Sequence, residues 1–265
     1  MTAPFVERSD EGAIAVLRLN RPETRNALGG ADTIAALVDA IDELRRDPSV
    51  KVMVLTGNGP AFCAGGNLDE VRIAAEAARS APADARRAFD EGIQRIPMAF
   101  ERLEVPTIAA VNGPAMGAGC DLACMCDMRI AAQSASFAES FVKLGLVPGD
   151  GGAWLLPRVV GLAHAFELSL TGDAIDAAEA LRIGLVSRVV EDDQLMPAAL
   201  ELARRIARHP GAAVRMGKRL ILEGLHTRLD TSLQLSAALQ VIAQQSPEHI
   251  ELLARMKAST SRAPR

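Results

Sequence analysis

The sequence predicts an α/β fold with parallel strand pairing, followed by a purely helical C-terminal region. Short apolar runs that end in a turn ("VKVMVLTG", "TIAAVNG", "DMRIAA", "LVSRVV") alternate with stretches whose apolar residues recur every three or four positions. The runs are apolar throughout, as strands covered on both faces must be. After about residue 192 strand signals stop, and the remaining chain reads as helix.

In chain order, "AIAVLRLN" (13–20) reads as the first strand and "RPETRNALG" as the turn that leaves it. "ADTIAALVDAIDELRRD" places Ile34, Leu37, Val38, Ile41 and Leu44 on one helical face. Strands follow over 50–57, 107–113, 127–132 and 185–190. Between the first two of these, residues 69–104 are charged and alanine-rich; they are expected to be helical, with Pro97 as an interruption. Three helical segments close the chain: "DDQLMPAALELARRIARHP", "GAAVRMGKRLILEGLHTRLDTSLQLSAALQVIAQQS" and "PEHIELLARMKAS". Their apolar stripe, with Leu229, Leu233, Leu235, Leu239 and Ile242, needs a partner surface, part of which is expected to be another subunit.

Composition narrows the function classes. A chain of 265 residues, 49% hydrophobic, supports one large domain, or one domain with an appendage. Its 33 acidic against 29 basic residues argue against a nucleic-acid partner. No apolar run approaches the roughly 20 residues of a membrane span. The first twelve residues lack a basic segment followed by an apolar one, so a cytoplasmic location is expected. Cys63, Cys120, Cys124 and Cys126 have no histidine near them in sequence, so they read as buried thiols rather than metal ligands. Tyrosine is absent and cannot serve as an acid.

Two segments share one plan. "VMVLTGNGPAFCAGGNLDEV" and "TIAAVNGPAMGAGCDLA" both run strand, turn, glycines, helix. Each delivers backbone amides near a helix start, where the first amides lack internal partners. Two such ends converging would make an oxyanion hole. Each cluster taken alone is also compatible with an ordinary glycine turn.

These segments, with "ASFAESFVKLGLVPGDGGAWLLPRVVG" and "LTGDAIDAAEALRIGLVSRVV", resemble the crotonase superfamily, the enoyl-CoA hydratase/isomerase group. The resemblance covers nearly the whole chain. It implies a crotonase (ClpP-like) spiral of ββα units over residues 1–200, holding the CoA and active sites. It also implies a helical oligomerisation region over 201–265 that forms a trimer, usually doubled to a hexamer. It implies an acyl-CoA substrate that brings its own coenzyme A, with no metal or redox cofactor and no membrane or nucleic-acid partner. Gly66 and Ala118 match the two oxyanion-hole amides, and Arg25, Ala27, Ala64, Asn67 and Leu68 match segments that contact the bound thioester.

Asp121, three residues after Ala118, matches a glutamate that serves hydratases of the family as acid or base; an aspartate there resembles the dienoyl-CoA isomerase branch. Its alternative role is charge at a helix N-terminus. The family's second acid falls on Phe141, which cannot carry a proton. Two acids are candidates to compensate. Glu139 would share a face with Phe141 if the segment were a strand. Asp150 lies one residue beyond a position that is catalytic in some isomerases and dehalogenases of the family. A surface ion pair and a helix N-cap are their respective alternatives. His226, Lys218 and Arg219 are further candidates for subunit or phosphate contacts, with solvated side chains as the alternative.

Rival classes fail on motif grounds. "GAGCDL" has Leu122 where a dinucleotide fingerprint needs its third glycine, no P-loop is present, and no G-x-S-x-G occurs. Hydration and double-bond isomerisation both stay open, and so does an acyl-CoA binder with weak or no turnover.

Overall fold

The computed structural model describes residues 3–260. Strands β1 (Val6–Glu11) and β2 (Ile14–Leu19) open the chain as an antiparallel hairpin. Helix α1 (Gly30–Arg46) and strand β3 (Val52–Gly57) follow. Then come α2 (Leu68–Ser80), α3 (Pro82–Glu91) and α4 (Arg95–Glu101). The central part is β4 (Thr107–Val111), β5 (Ala115–Met116), α5 (Ala118–Met125), β6 (Met128–Ala132) and β7 (Ser136–Ala138). A 3₁₀ segment, Ser140–Leu144, leads to α6 (Gly152–Thr171), β8 (Ile175–Asp176), α7 (Ala177–Arg182) and β9 (Arg188–Val190). Helices α8 (Leu195–Ala207), α9 (Gly211–Gly224), α10 (Leu229–Gln244) and α11 (Pro247–Thr260) end it.

The large sheet has the order β1-β2-β3-β4-β6-β9, parallel from β2 onward. A small sheet has the order β5-β7-β8. One unit repeats: a long strand, a short strand, then a helix. It is seen in β4–β5–α5 and β6–β7–α6, and in β3–Cys63–α2, where Cys63 bridges to Ala115. Ala115 in turn pairs with Phe137, and Phe137 with Ile175. Successive turns of the spiral are thus tied at their short strands as well as at their long ones.

Both faces of the large sheet are covered, which explains the unbroken apolar runs. Leu17, Leu19, Met53, Leu55, Ala109 and Val111 pack toward α1, α4, α5 and α6. Ile14, Val16, Val52, Val54, Ile108 and Ile130 pack under Leu195, Ala199 and Ala203 of α8. Helix α8 therefore belongs to the core, and the expected boundary at residues 200/201 falls inside it. Beyond α8 no described residue is buried within the chain, and Leu229, at 75% exposure, Leu233 and Ile242 of α10 face outward.

Three expectations change. Strand β1 was not foreseen, because its residues are charged and mostly exposed and show no apolar alternation. Pro97 does not interrupt a helix: it is the third residue of α4, within the first turn, where the missing N–H has no intrahelical partner to lose. The breaks in residues 69–104 come at Ala81, ahead of Pro82, and at Gly92. Lys218 is not a free cation. It pairs with Asp127 Oδ2 at 2.9 Å and donates to the Val105 carbonyl at 3.1 Å. Arg219 pairs with Glu223 on its own helix. His226 stacks on Trp154, ring centroids 5.4 Å apart, and Arg158 covers the same indole at 3.8 Å.

Asp127 also accepts from the Thr107 amide at 2.7 Å, so one carboxylate joins the start of β4 to α9. Asp127→Ala strands both a backbone donor and an ammonium that is only 9% exposed. It is expected to cost about 2–4 kcal/mol in urea unfolding; a loss below a few tenths would show that α9 is held by other contacts.

Candidate active site

The site forms where the short strands end. Cys63 is bonded on both sides to the β5 segment: its amide donates to Pro114 O (3.1 Å) and its carbonyl accepts from Met116 N (3.0 Å). Close approach demands glycine at two points. A Cβ on Gly65 would lie 2.4 Å from Met116 O, and one on Gly119 would lie 2.1 Å from Cys63 O. Gly65, at φ +91°, also needs the left-handed region. The same imaginary Cβ of Gly65 is 3.6 Å from the Ala118 amide nitrogen, so the two turns touch.

On its other side the Cys63–Asn67 strip is held by the Arg25–Leu28 segment. Ala64 N donates to Arg25 O (2.9 Å), Leu28 N to Gly65 O (2.7 Å) and Asn67 N to Leu28 O (2.7 Å). These bonds leave the Gly66 amide directed away from Leu28. Neither it nor the Ala118 amide has an acceptor among the described residues. Two donors thus stand side by side, one exposed and one on a buried residue. Ala27 is half-buried, and the Arg25 and Leu68 side chains are exposed. Asn67 caps α2, accepting from Asp69 N at 2.9 Å, so its side chain has a structural duty.

Asn26 is the residue that sequence reasoning missed. It is fully buried, with φ +58°. It accepts from Arg21 N (2.9 Å) and donates to Asn58 O (3.0 Å) and Ala61 O (2.9 Å), pinning the 25–28 segment to the turn before Cys63. The only signal was an asparagine in a turn, a residue that tolerates that conformation.

Three acids gather beneath the Ala118 turn. Asp121 is 0% exposed, Glu139 1% and Asp150 8%. No oxygen of Asp121 or Glu139 has a hydrogen-bond donor. Gly117 connects them: its amide donates to Ala138 O (2.7 Å), next to Glu139, and its carbonyl accepts from Asp121 N (3.0 Å). The Asp121 carboxyl also lies against Gly152, where a Cβ would be 2.0 Å from Oδ1. Burial, then the charge of Glu139, pushes Asp121 well above the usual carboxylate range. Burial likewise raises Glu139, while its contacts with Asp121 and Cys120 partly offset the rise. Burial lifts Asp150 to about 6.

The geometry revises two premises. Glu139 and Phe141 are not on a strand: β7 ends at Ala138 and a 3₁₀ segment begins at Ser140. Glu139 reaches Asp121 because it directly follows the third short strand. Asp150 is not a helix cap, since Gly151 holds that position without a side-chain cap bond. The Phe141 ring, half-buried, would be 3.7 Å from a Cβ on Gly117, so it covers the acids' turn with an apolar surface. A cavity of about 1290 Å³ opens between α4, the start of α6 and α9, lined by Pro97, Met98, Trp154 and Ile221 among others. It adjoins the Pro148–Gly151 turn, but none of the three acids lines it. All four cysteines are buried free thiols, and no cluster of metal-binding side chains occurs among the described residues.

Comparison with known proteins identifies the family. The family model described as enoyl-CoA hydratase/isomerase matches residues 9–255. The chain is 40% identical over 228 residues to a crotonyl-CoA hydratase of Syntrophomonas wolfei, covering 86% of this chain and 85% of that one. It is 36% identical over 247 residues to the 1,2-epoxyphenylacetyl-CoA isomerase of Escherichia coli, covering 93% of each. Among solved structures, an enoyl-CoA hydratase from Bacillus anthracis superposes with a TM-score of 0.88 at 33% identity over 96% of both chains.

Raised acid pKa values carry a stability cost of definite sign. The folded chain holds protons that the unfolded chain releases, so stability falls as pH rises from the ordinary carboxylate range toward the raised values. The slope is about 1.4 kcal/mol per pH unit for each proton retained. Glu139→Gln removes one acid and gives Asp121 a donor. Its stability relative to wild type is expected to climb as pH rises above the ordinary carboxylate range. Parallel pH–stability curves would mean that Glu139 ionises normally.

Proposed function

The chain belongs to the enoyl-CoA hydratase/isomerase family, and on that premise we propose that it acts on an unsaturated acyl-CoA thioester through an enolate. The observation that carries this reading is the contact between two turns whose Gly66 and Ala118 amides have no other acceptor. On this reading the thioester oxygen, which gains charge in the reaction, takes the place of the acceptor that both donors lack. Fixed donors of this kind stabilise the charge without reorganising, which is their advantage over water. Asp121, one helical turn after Ala118, moves the proton at the carbon next to that thioester. Asp150 and Glu139 are the acids able to assist it. The Arg25–Leu28 strip, with Ala64, Asn67 and Leu68, flanks the donors and is the proposed seat of the coenzyme A portion. Coenzyme A arrives with the substrate, so the scheme needs no metal or redox cofactor.

Between the two reactions of the family, Phe141 favours double-bond isomerisation. Hydration needs one group to activate water and another to manage the proton at the α-carbon, and a phenyl ring does neither. Isomerisation takes a proton from one carbon and returns it to another, which a carboxyl beside a donor pair can manage alone.

Gly66→Pro deletes one donor and is expected to lower turnover by about 10²-fold or more in a folded protein. Asp121→Asn is expected to abolish turnover of both crotonyl-CoA and a 3-enoyl-CoA. Fast crotonyl-CoA hydration that survives Asp121→Asn would remove Asp121 from its role.

The unburied helices support assembly. Exposed Leu229, Leu233, Val241 and Ile242 on α10, and Leu162, Phe166 and Leu170 on α6, form apolar surface that a single chain leaves in water. A second copy is the proposed partner, in a trimer or hexamer. Light scattering of the purified protein is expected to give three or six chain masses; a clean monomer at micromolar concentration would contradict it.

A further inference from the structure

We propose that Asp121 and Glu139 act as one acid–base unit holding a single proton, with Glu139 supplying the second carboxyl that Phe141 withholds. This rests on the reaction class proposed above. Asp121 meets the substrate; Glu139 acts through it as a positioning residue.

Four observations converge. Both side chains are sealed from solvent. None of the four oxygens has a hydrogen-bond partner, the thiol of Cys120 beside Glu139 being only a weak donor. Glu139 directly follows the Ala138 that Gly117 bonds, and Asp121 bonds Gly117 from the other side, so the two carboxyls are neighbours and each acts on the other's protonation. One residue, Gly117, ties both to the turn that presents the Ala118 amide. Two desolvated anions in contact are not tolerable. One proton held between them removes one of the two charges, supplies the missing donor and leaves an acceptor for a proton from the substrate. Every neighbour that acts on the pair is itself acidic: Cys120 and Cys124 from α5, and Asp150 from the turn before α6. Nothing there neutralises a second negative charge.

A pair with one proton can take one and give one. In isomerisation, ionised Asp121 removes the C2 proton of a 3-enoyl thioester. The electron pair moves to the thioester oxygen held by the Gly66 and Ala118 amides, and the pair then holds two protons. Asp121 returns one to C4, the double bond settles between C2 and C3, and the pair again holds one. In hydration, water adds to C3 and loses its proton to the pair, while C2 receives the proton the pair held before. Both balances close without another acid.

The test needs no variant at first. Infrared spectroscopy at about pH 8, above the Asp150 titration near 6, is expected to show one protonated carboxyl in wild type. Asp121→Asn and Glu139→Gln should each remove it, because the remaining acid ionises against an amide donor. A band absent from wild type overturns the pairing. So does a band that survives both single variants, since burial alone would then hold the proton. In turnover, Glu139→Gln is expected to lower kcat by about 10²-fold and to move the acid limb of the pH profile downward. An unmoved profile reduces Glu139 to a packing role and overturns the proposal. The two readings fail separately: the band without turnover of any enoyl thioester overturns the reaction class, and turnover without the band overturns the pairing.

Discussion

The site depends on a ladder of short strands. Cys63, Ala115, Phe137 and Ile175 pair in sequence across consecutive turns of the spiral. Paired strands stand about 4.8 Å apart, so the residues that follow each rung come within side-chain reach of one another. Gly66 follows the first rung, Ala118 the second and Glu139 the third. The glycines at 65 and 119 are what let these rungs close up, because any side chain there would strike the neighbouring carbonyl. The large sheet, covered by α8 on one face and by four helices on the other, holds the ladder in register.

That rigidity is spent on an unfavourable electrostatic arrangement. Buried carboxyls without donors destabilise a fold, and a core of this kind would be more stable with apolar residues at 121 and 139. The scaffold offsets the cost locally. Gly152 yields space to the Asp121 carboxyl, and Gly117 fixes both acids through its own amide and carbonyl. Raised pKa values follow from the same burial, so the feature that weakens the fold is the one that strengthens the acids' hold on a proton.

Much of this was legible in the residues. The five parallel strands, α1 and the helical C-terminal region follow from apolar periodicity, and the two glycine turns from their shared strand–turn–helix plan. What escaped did so for physical reasons. Strand β1 is an exposed edge whose charged residues leave no pattern. The two- and three-residue strands of the small sheet are too short to show alternation, and they are stabilised by neighbours distant in sequence. Pro97 was misread because proline ends a helix only in its interior, and nothing local marks Arg95 as a helix start. Lys218 read as solvated because its partner, Asp127, lies ninety-one positions away. Asp121 was conspicuous, being a carboxyl in an apolar stretch. Glu139 was selected for a strand periodicity that does not exist, yet it lies buried beside the Gly117 turn because of the rung that precedes it.

With Glu139 as the second acid, as proposed, the carboxyl moves from position 141 to position 139, and that changes the kind of chemistry available. Acids on opposite sides of a reacting carbon act independently, and a water molecule fits between them; separation between two carboxyls decides outcomes in this way in other hydrolytic sites too. Acids in contact share their titration, so a proton accepted by one alters the affinity of the other at once. Phe141 completes the difference by setting a hydrocarbon surface over the Gly117 turn. A contact pair under an apolar lid, beside two fixed amides, is suited to moving a proton along one face of a substrate, whereas activating water calls for an open, polar approach. On the proposed assignment the spiral sets the position of the donors, and the local choice of glutamate at 139 and phenylalanine at 141 sets how the proton travels.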